Sequence, residues 1–475
     1  MHRLASAISL AVGTLVFASA AQAATYVVTA KAQSFDSALV RKIEAAGGTI
    51  KARLPQIGVA IIESNDTGFA GKAAKIPAVR SAVKDVSIQF DLGEDQPQLA
   101  ADFANPPTSG DDDAFFDLQW GHAAIDAAGA WNAGYRGAGA TVAVLDSGVY
   151  CNHVDLQRNL NKIKSTSFIT NAAGVVEPYC NTAGSSHGTH TMGTIGAADN
   201  GIGTIGVAPE AEVFAVKVLS AVTGSGSFGA ILQGIVYAAD NGADVINMSL
   251  GVNGGLPVGG KDAAELMNAV GRATRYAYGR NTTIVASAGN DGRNLDKDSH
   301  SYICDSDGFC DYYNLRSFPG QLPGVVTVSA LGPLAWLKAP ANANFDIRAS
   351  YSNYGQSAID LGAPGGNFDY PGNENCSLLI SDGRTIVQPC WVFDMVMSTT
   401  TTTAAGSFYS WNAGTSMAAP HVAGVAALIV GKKGGAASPS EVVRILRASA
   451  DDLGKPGNDE TFGSGRVNAR KAVQY

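Results

Sequence analysis

The stretch Gly414-Thr-Ser-Met-Ala-Ala-Pro-His-Val-Ala-Gly-Val-Ala-Ala-Leu-Ile-Val430 permits few architectures. It is small and apolar on every side and long enough for a helix, so other elements must cover it all round. Pro420 is tolerable only in the first turn, which starts the helix near Ser416. The Ser416 hydroxyl then sits at a helix N-terminus, where free backbone N–H groups favour developing negative charge. A second constraint is the short β-branched run Thr141-Val-Ala-Val-Leu145, which leads into Asp146-Ser-Gly148. It reads as a buried parallel strand with Asp146 at its carboxyl end, where open α/β sheets place their sites. His187, in Ser-His-Gly-Thr-His190, opens a Gly/Ala-rich stretch to Ala198 of helical character. From about Asp113 onward apolar strands alternate with helix-like stretches, the pattern of a parallel α/β sheet.

Asp146, His187 and Ser416 offer an acid, a base and a nucleophile. A serine hydroxyl barely ionises at neutral pH, so an imidazole must take its proton as it attacks. A carboxylate must hold that imidazole in one tautomer and stabilise the imidazolium. His190 and Thr415 are rivals by residue type for base and nucleophile, and His421, His153 and His122 read as structural.

These three segments, in this order, resemble those of the subtilisin family of serine peptidases, over roughly Asp113 to Tyr475. The resemblance implies a doubly wound, mostly parallel α/β sheet of subtilisin type with Asp146, His187 and Ser416 as its triad. It selects the first histidine of His-Gly-Thr-His and the serine of Gly-Thr-Ser. It further implies that Asn290, in Ala-Ser-Ala-Gly-Asn-Asp-Gly292, donates to the oxyanion beside the Ser416 N–H. Ser249-Leu250-Gly251 looks like the edge strand along which substrate backbone adds. Calcium is the implied ion, held by Asp155, the Asn200 side chain, the carbonyls of Ala198, Ile202 and Thr204, and Asp113 or Asp112.

Composition agrees with an exported enzyme. Net charge is −8, which argues against a nucleic-acid partner. Met1–Ala23 has a positive start at Arg3, an apolar core from Leu4 to Ala18 and a small-x-small end at Ala21-Gln-Ala23, as a signal peptide does. No later segment has the apolar length of a membrane span. Export makes an even set of six cysteines intelligible as three disulfides. Composition leaves the pairing open. Sequential pairing, Cys151–Cys180, Cys304–Cys310 and Cys376–Cys390, keeps each pair in one loop, and the spacings do not resemble a zinc site.

Residues 24–90 read as a separate β-α-β-β-α-β unit with strands at Thr25–Ala30, Thr49–Leu54, Gly58–Glu63 and Val83–Phe90. Its helices read as Ser37–Ala45 and Phe69–Ile76. That order resembles the small α+β, ferredoxin-like propeptide of the family, which packs on its enzyme and blocks the site. A generic module with another role is the alternative. Residues 91–112 are a polar, proline-containing linker expected to hold the processing site, and 113–475 the catalytic unit. The sequence motif ends near Ala469, so no further processing domain is expected.

Two insertions depart from the shortest family members. Residues 291–316 carry Asp296, Asp298, Asp305, Asp307 and Asp311, either an acidic rim for basic substrates or a solvated loop. Residues 366–411 read as a disulfide-pinned surface loop. The expectation is a secreted, monomeric serine endopeptidase acting on proteins or peptides, restrained by its own propeptide. A peptide ligase or cyclase using the same triad and a non-catalytic binding protein are the alternatives.

Overall fold

A computed structural model of the chain describes residues 23–90, 98–99, 111–171, 173–252, 254–257, 260–297, 300–304, 310–379, 385–401 and 409–475, the backbone alone at 98–99, 300–304 and 310–313. The expected signal segment, save Ala23, and most of the 91–112 linker lie outside the described residues.

The N-terminal unit is β1 (Ala24–Ala30), α1 (Ser37–Ala45), β2 (Thr49–Leu54), β3 (Val59–Ser64), α2 (Phe69–Ala74) and β4 (Val79–Lys84). Its sheet order is β2-β3-β1-β4, with every pair antiparallel. Asp36 caps α1 by accepting from Leu39 N at 2.7 Å. Strand alternation gives the sheet two apolar faces. Tyr26, Val28, Ala60 and Ile62 pack with Leu39, Ile43 and Phe69 of the two helices. Val27, Val59, Ile61 and Val83 join the core of the large unit.

Two boundaries differ from expectation. Helix α2 stops at Ala74 instead of running to Ile76. The last strand starts at Val79, not Val83, and is interrupted before β5 (Ser87–Gln89). The interruption contains Asp85, whose carboxylate accepts from Gly229 N at 3.2 Å at the start of a helix of the large unit. A tertiary capping contact thus ends the strand. Arg80 pairs with Glu265 at 2.8 Å, and Arg272 donates to the carbonyls of Ala32 and Ile57 at 3.2 Å.

The short β6 (Gln98–Leu99) precedes the large unit, which opens with α3 (Trp120–Ala124) and α4 (Ala127–Asn132). There follow β7 (Thr141–Asp146), β8 (Thr166–Ser167), α5 (His187–Gly196), β9 (Glu212–Lys217), β10 (Ser225–Ser227) and α6 (Phe228–Asp240). Next come β11 (Val245–Met248), β12 (Leu256–Pro257), α7 (Lys261–Gly279), β13 (Thr283–Ser287) and the hairpin β14 (His300–Cys304) and β15 (Cys310–Arg316). Strands β16 (Val325–Gly332), β17 (Ile347–Arg348) and β18 (Leu361–Pro364) complete the main sheet. It has eight strands, ordered β17-β16-β13-β11-β7-β9-β8 with β18 beside β16, and its central pairs are parallel.

Alternate residues of single strands feed two cores. Val142 and Val144 of β7 pack with Met192 and Ile195 of α5 and with the long buried helix, whereas Ala143 and Leu145 pack with α6 and α7. Helices on both faces make the fold doubly wound, as expected.

The 366–411 region departs from its reading as a surface loop. It forms β19 (Asn375–Leu379), β20 (Thr385–Pro389), α8 (Cys390–Phe393), β21 (Val396–Thr399) and β22 (Tyr409–Asn412). Phe393, Tyr409 and Trp411 make a core of their own with Phe115 and Leu118. The hydroxyls of Ser398 and Thr399 are buried and donate to the carbonyls of His190 and Thr189 at 2.8 Å. A threonine run, polar by composition, is thereby buried against the first turns of α5. The rest of the chain is α9 (Thr415–Lys432), α10 (Pro439–Ala448) and α11 (Ala469–Ala472). Disulfides join Cys151 to Cys180 and Cys376 to Cys390. Cys304 and Cys310 stand opposite each other in the β14–β15 hairpin, and their side chains lie outside the described residues.

Candidate active site

Asp146 ends β7 and His187 begins α5. Both oxygens of the Asp146 carboxylate face His187 Nδ1, at 2.9 and 3.0 Å, and both residues are buried. Ser147 N donates to Asp146 Oδ1 at 2.6 Å and fixes the carboxylate in turn. The helix reaches this loop because its second residue is glycine: a Cβ on Gly188 would stand 2.2 Å from the Gly148 carbonyl oxygen. With Nδ1–H committed to the carboxylate, the imidazole keeps Nε2 as its basic nitrogen.

Ser416 is the second residue of α9. Pro420 lies a turn deeper than the first-turn position expected, inside the helix. Proline cannot donate to the carbonyl four residues back, so Ser416 O loses its helical partner. The Ser249 hydroxyl replaces it, donating to Ser416 O at 2.7 Å, and itself accepts from Asn247 Nδ2 at 2.9 Å. The same contact region holds the nucleophile, since Ser416 Oγ donates to Ser249 O at 3.4 Å. Ser249, Leu250 and Gly251 follow β11, which is central in the sheet rather than an edge strand. Directly after them Val252 forms an antiparallel bridge with Phe90.

Asn290 reaches this site from the loop after β13, past Gly289 at φ +99°. Thr415 orients the Asn290 amide. Asn290 Oδ1 accepts from Thr415 N at 2.9 Å and from Thr415 Oγ1 at 2.8 Å, while Gly289 N donates to the same hydroxyl at 3.1 Å. A backbone N–H can only donate, so this end of the amide is oxygen and Nδ2 is the end turned away from Thr415. Thr415 entered the sequence reading only as a rival hydroxyl; the pattern of types held no signal for this orienting role. Preorganised N–H donors of this kind stabilise an oxyanion.

The other histidines have separate partners. His190 Nε2 meets Val396 O at 3.1 Å, and His421 Nδ1 meets Met417 O at 2.8 Å. Burial lowers the His421 pKa to about 4 and holds His122, whose ring stands 5.6 Å from that of His421, in its neutral form. Sequence reasoning also passed over Lys217. It is buried beside Asp146 in register, pairs with Glu177 at 3.2 Å and donates to Asn181 Oδ1 at 2.9 Å. Asn181 Nδ2 donates to Ser147 O at 2.9 Å, which ties the Cys151–Cys180 loop to the strand end that carries Asp146.

A narrow cleft beside Gly254 is lined by Asp291, Arg293 and Arg316. Asp291 Oδ1 accepts from Gly254 N at 2.6 Å, and Arg293 donates to Gly254 O at 2.6 Å. Of the acids expected as a rim, Asp296 accepts from Ser357 N at 2.9 Å and so braces a loop. Asp298, Asp305 and Asp307, and the side chain of Asp311, lie outside the described residues.

Several of the expected cation ligands are linked by hydrogen bonds. Asp113 and Asp155 are fully buried, and Asp155 accepts from Thr204 N at 3.0 Å and Asn200 Nδ2 at 3.3 Å. Asn200 N donates to Asp113 Oδ1 at 3.3 Å, and Asn200 Oδ1 accepts from Ile202 N at 3.0 Å. Ala198 N donates to Asp155 O at 2.7 Å, which seats that carbonyl's residue in the same loop. Asp113 Oδ2 is buried without a donor among the described residues, and burial, with the Asp111 and Asp155 carboxylates, raises its pKa to about 9. Between the two expected N-terminal acids, Asp113 is the buried one and Asp112 is exposed. Carboxylates packed this way call for a positive ion, and oxygen donors suit calcium. Asp111, Asp112 and Asp199 form an acidic group with Asp113.

Comparison with known proteins agrees with this geometry. The profile of the subtilase family matches residues 137–465. The chain is 34% identical over 357 residues to subtilisin Savinase of Lederbergia lenta, covering 75% of this chain and 99% of that one. It is 32% identical over 341 residues to subtilisin DY of Bacillus licheniformis, covering 72% and 93%. In fold it is similar to the epidermin leader peptide processing serine protease of Staphylococcus aureus, with TM-score 0.69 at 21% identity over 95% of this chain and 98% of that one.

Proposed function

Because the chain belongs to the subtilase family and is a serine endopeptidase, we propose that Asp146, His187 and Ser416 form its catalytic triad. His187 Nε2 takes the proton of Ser416 as its Oγ attacks a peptide carbonyl, and Asp146 stabilises the imidazolium. Asn290 Nδ2 and the Ser416 N–H receive the oxyanion. Protonated His187 then gives its proton to the leaving amine, and water releases the acyl group by the reverse path. Ser249 to Gly251 align the substrate backbone. The observation that carries this reading is the two-oxygen grip of Asp146 on His187 Nδ1.

The N-terminal unit, 24–90, acts as an inhibitory propeptide within a zymogen. In support, its sheet buries one face on α6 and α7 and its last strand pairs with β10 of the large unit. Residues 1–23 direct export of a monomeric enzyme. Two disulfides support an oxidising destination, and among the described residues no helix is long and apolar enough to cross a membrane. Asp113, Asp155, Asn200 and the carbonyls of Ala198, Ile202 and Thr204 hold a calcium ion that, when bound, supplies charge neutralisation and rigidity to the loop after α5.

The test is a fluorophosphonate probe on the mature protein, mapped by mass spectrometry, with Ser416→Ala as control. Label confined to Ser416, with casein hydrolysis lost in step, is the expected result. A folded, propeptide-free protein that takes no label refutes the assignment.

A further inference from the structure

Lys217 carries a buried charge that the reaction cycle does not use. Strand β9 runs parallel to β7, with Lys217 in register beside Asp146. Val142 and Val144 of β7 and Val213 and Ala215 of β9 all pack in the core on the α5 face. Strand alternation therefore puts Asp146 and Lys217 on that face too, on neighbouring strands about 4.8 Å apart. Lys217 is 2% exposed, and a lysine is almost never buried this far unless it is paired.

Both partners of its ammonium flank Cys180, which is joined to Cys151. Nζ pairs with Glu177 at 3.2 Å and donates to Asn181 Oδ1 at 2.9 Å. Glu177 in turn accepts from the Ser220 hydroxyl at 2.8 Å. An ammonium can only donate, so Asn181 turns its oxygen to Lys217 and its Nδ2 to Ser147 O, at 2.9 Å. Ser147 then serves two members of the centre. Its N–H donates to Asp146 Oδ1 at 2.6 Å, and its Oγ accepts at 3.2 Å from the N–H of Gly188, the residue after His187. Hydrogen bonds thus run from Lys217 through Asn181 and Ser147 to both Asp146 and the start of α5.

Charge acts beside position. A positive charge favours ionised Asp146 and disfavours an imidazolium at His187, and Glu177 opposes it. Burial lowers the Lys217 pKa, and Glu177 and Asp146 resist the fall. The other titratable groups on the surrounding elements have partners of their own. His190 of α5 meets Val396 O, Tyr179 donates to Lys162 O, Lys164 pairs with Glu212, and Asp85 of the N-terminal unit caps α6. Residues 218–234, from the end of β9 into α6, carry no charge.

We propose that Lys217 is a positioning residue of the catalytic centre, which fixes the Asp146 carboxylate through Asn181 and Ser147 and keeps His187 in its neutral, proton-accepting form to lower pH. This rests on the triad reading of Asp146, His187 and Ser416. The Lys217–Glu177 pair sets the pH at which the base is lost.

The experiment is the rate at which a fluorophosphonate probe labels Ser416, followed as a function of pH on the propeptide-free protein and its variants. That rate falls on the acid side as His187 is protonated, so its midpoint reports the base. Lys217→Met should raise the midpoint by about one pH unit, the size of effect of a unit charge on a neighbouring strand at an effective dielectric near 20. It should also lower the plateau rate by roughly fivefold, as Asn181 and Ser147 lose their anchor. Glu177→Gln leaves the ammonium unopposed and should lower the midpoint, and the double variant should fall between the two. Loosened packing would move both single variants the same way. An unmoved midpoint or plateau in Lys217→Met, or shifts of one sign in both single variants, overturns the proposal while the label on Ser416 keeps the triad. If Lys217→Met does not fold, Glu177→Gln decides, and a midpoint that stays or rises overturns the proposal. A folded parent that takes no label refutes the triad and the proposal together.

Discussion

Replacing Ser249 by alanine removes the one hydroxyl that covers the carbonyl orphaned by Pro420. Ser249 is fully buried, donates to Ser416 O at 2.7 Å and accepts from Asn247 at 2.9 Å. Ser249→Ala leaves a buried carbonyl and a buried amide N–H without this partner, at about 1–3 kcal/mol for each group. A loss of ~3 kcal/mol in total is expected, about a hundredfold if all of it enters the unfolding rate. The cause can be isolated, because Pro420→Ala restores a helical N–H four residues after Ser416. In that background the Ser416 carbonyl has its own donor, and Ser249→Ala should cost less by ~1 kcal/mol or more, a coupling well outside the scatter of independent sites. Unfolding rates in guanidinium, followed by tryptophan fluorescence in a Ser416→Ala chain that cannot digest itself, give all four corners of the cycle. Equal costs of Ser249→Ala with and without Pro420 would refute the reasoning.

Asn290→Ala should lower kcat by about 10²–10³ with little change in KM, a magnitude taken from the family's type enzyme rather than worked out for this chain. Thr415→Val removes one of the two bonds that orient Asn290 and should lower kcat in the same direction by roughly fivefold, at ~1 kcal/mol for that bond; an unchanged kcat in a folded protein argues against its orienting role. Chelation of calcium should shorten the half-life at a fixed temperature by up to about a hundredfold, as for an ion present at 100 times its Kd, and Asp155→Asn should remove the response. His421 is held neutral, with a pKa of about 4 against 6.5, so the unfolded chain takes up its proton first. Its contribution is therefore flat above pH 6.5 and becomes destabilising as pH falls to about 4, by ~3 kcal/mol. The stability gap between the parent and His421→Gln should shift by that amount across this window, a difference that cancels the opposite trend of buried Asp394, whose pKa is raised to about 7. His122, against the His421 ring, acts in the same sense, and a constant gap refutes the claim.

Local sequence determined much of this protein. A run of β-branched residues before Asp146, glycine after His187 and a helix with no polar face are signals carried by neighbours in the chain, and each became the element expected. The unbroken apolar run of β7 already implied two covered faces. What the sequence did not carry was decided by partners far away in the chain. Pro420 lies deeper in its helix than propensity allows because Ser249, 167 residues earlier than Ser416, covers the freed carbonyl. The Ser398–Thr401 run is buried, and the hydroxyls of Ser398 and Thr399 find carbonyls of α5 more than 200 residues away. Asp85 breaks a strand to cap a helix 144 residues on. Residue type and spacing report what a side chain can do and which backbone shape it prefers. Whether a polar group is satisfied is a property of the fold, since its partner can come from any part of the chain, and only the assembled tertiary structure supplies it.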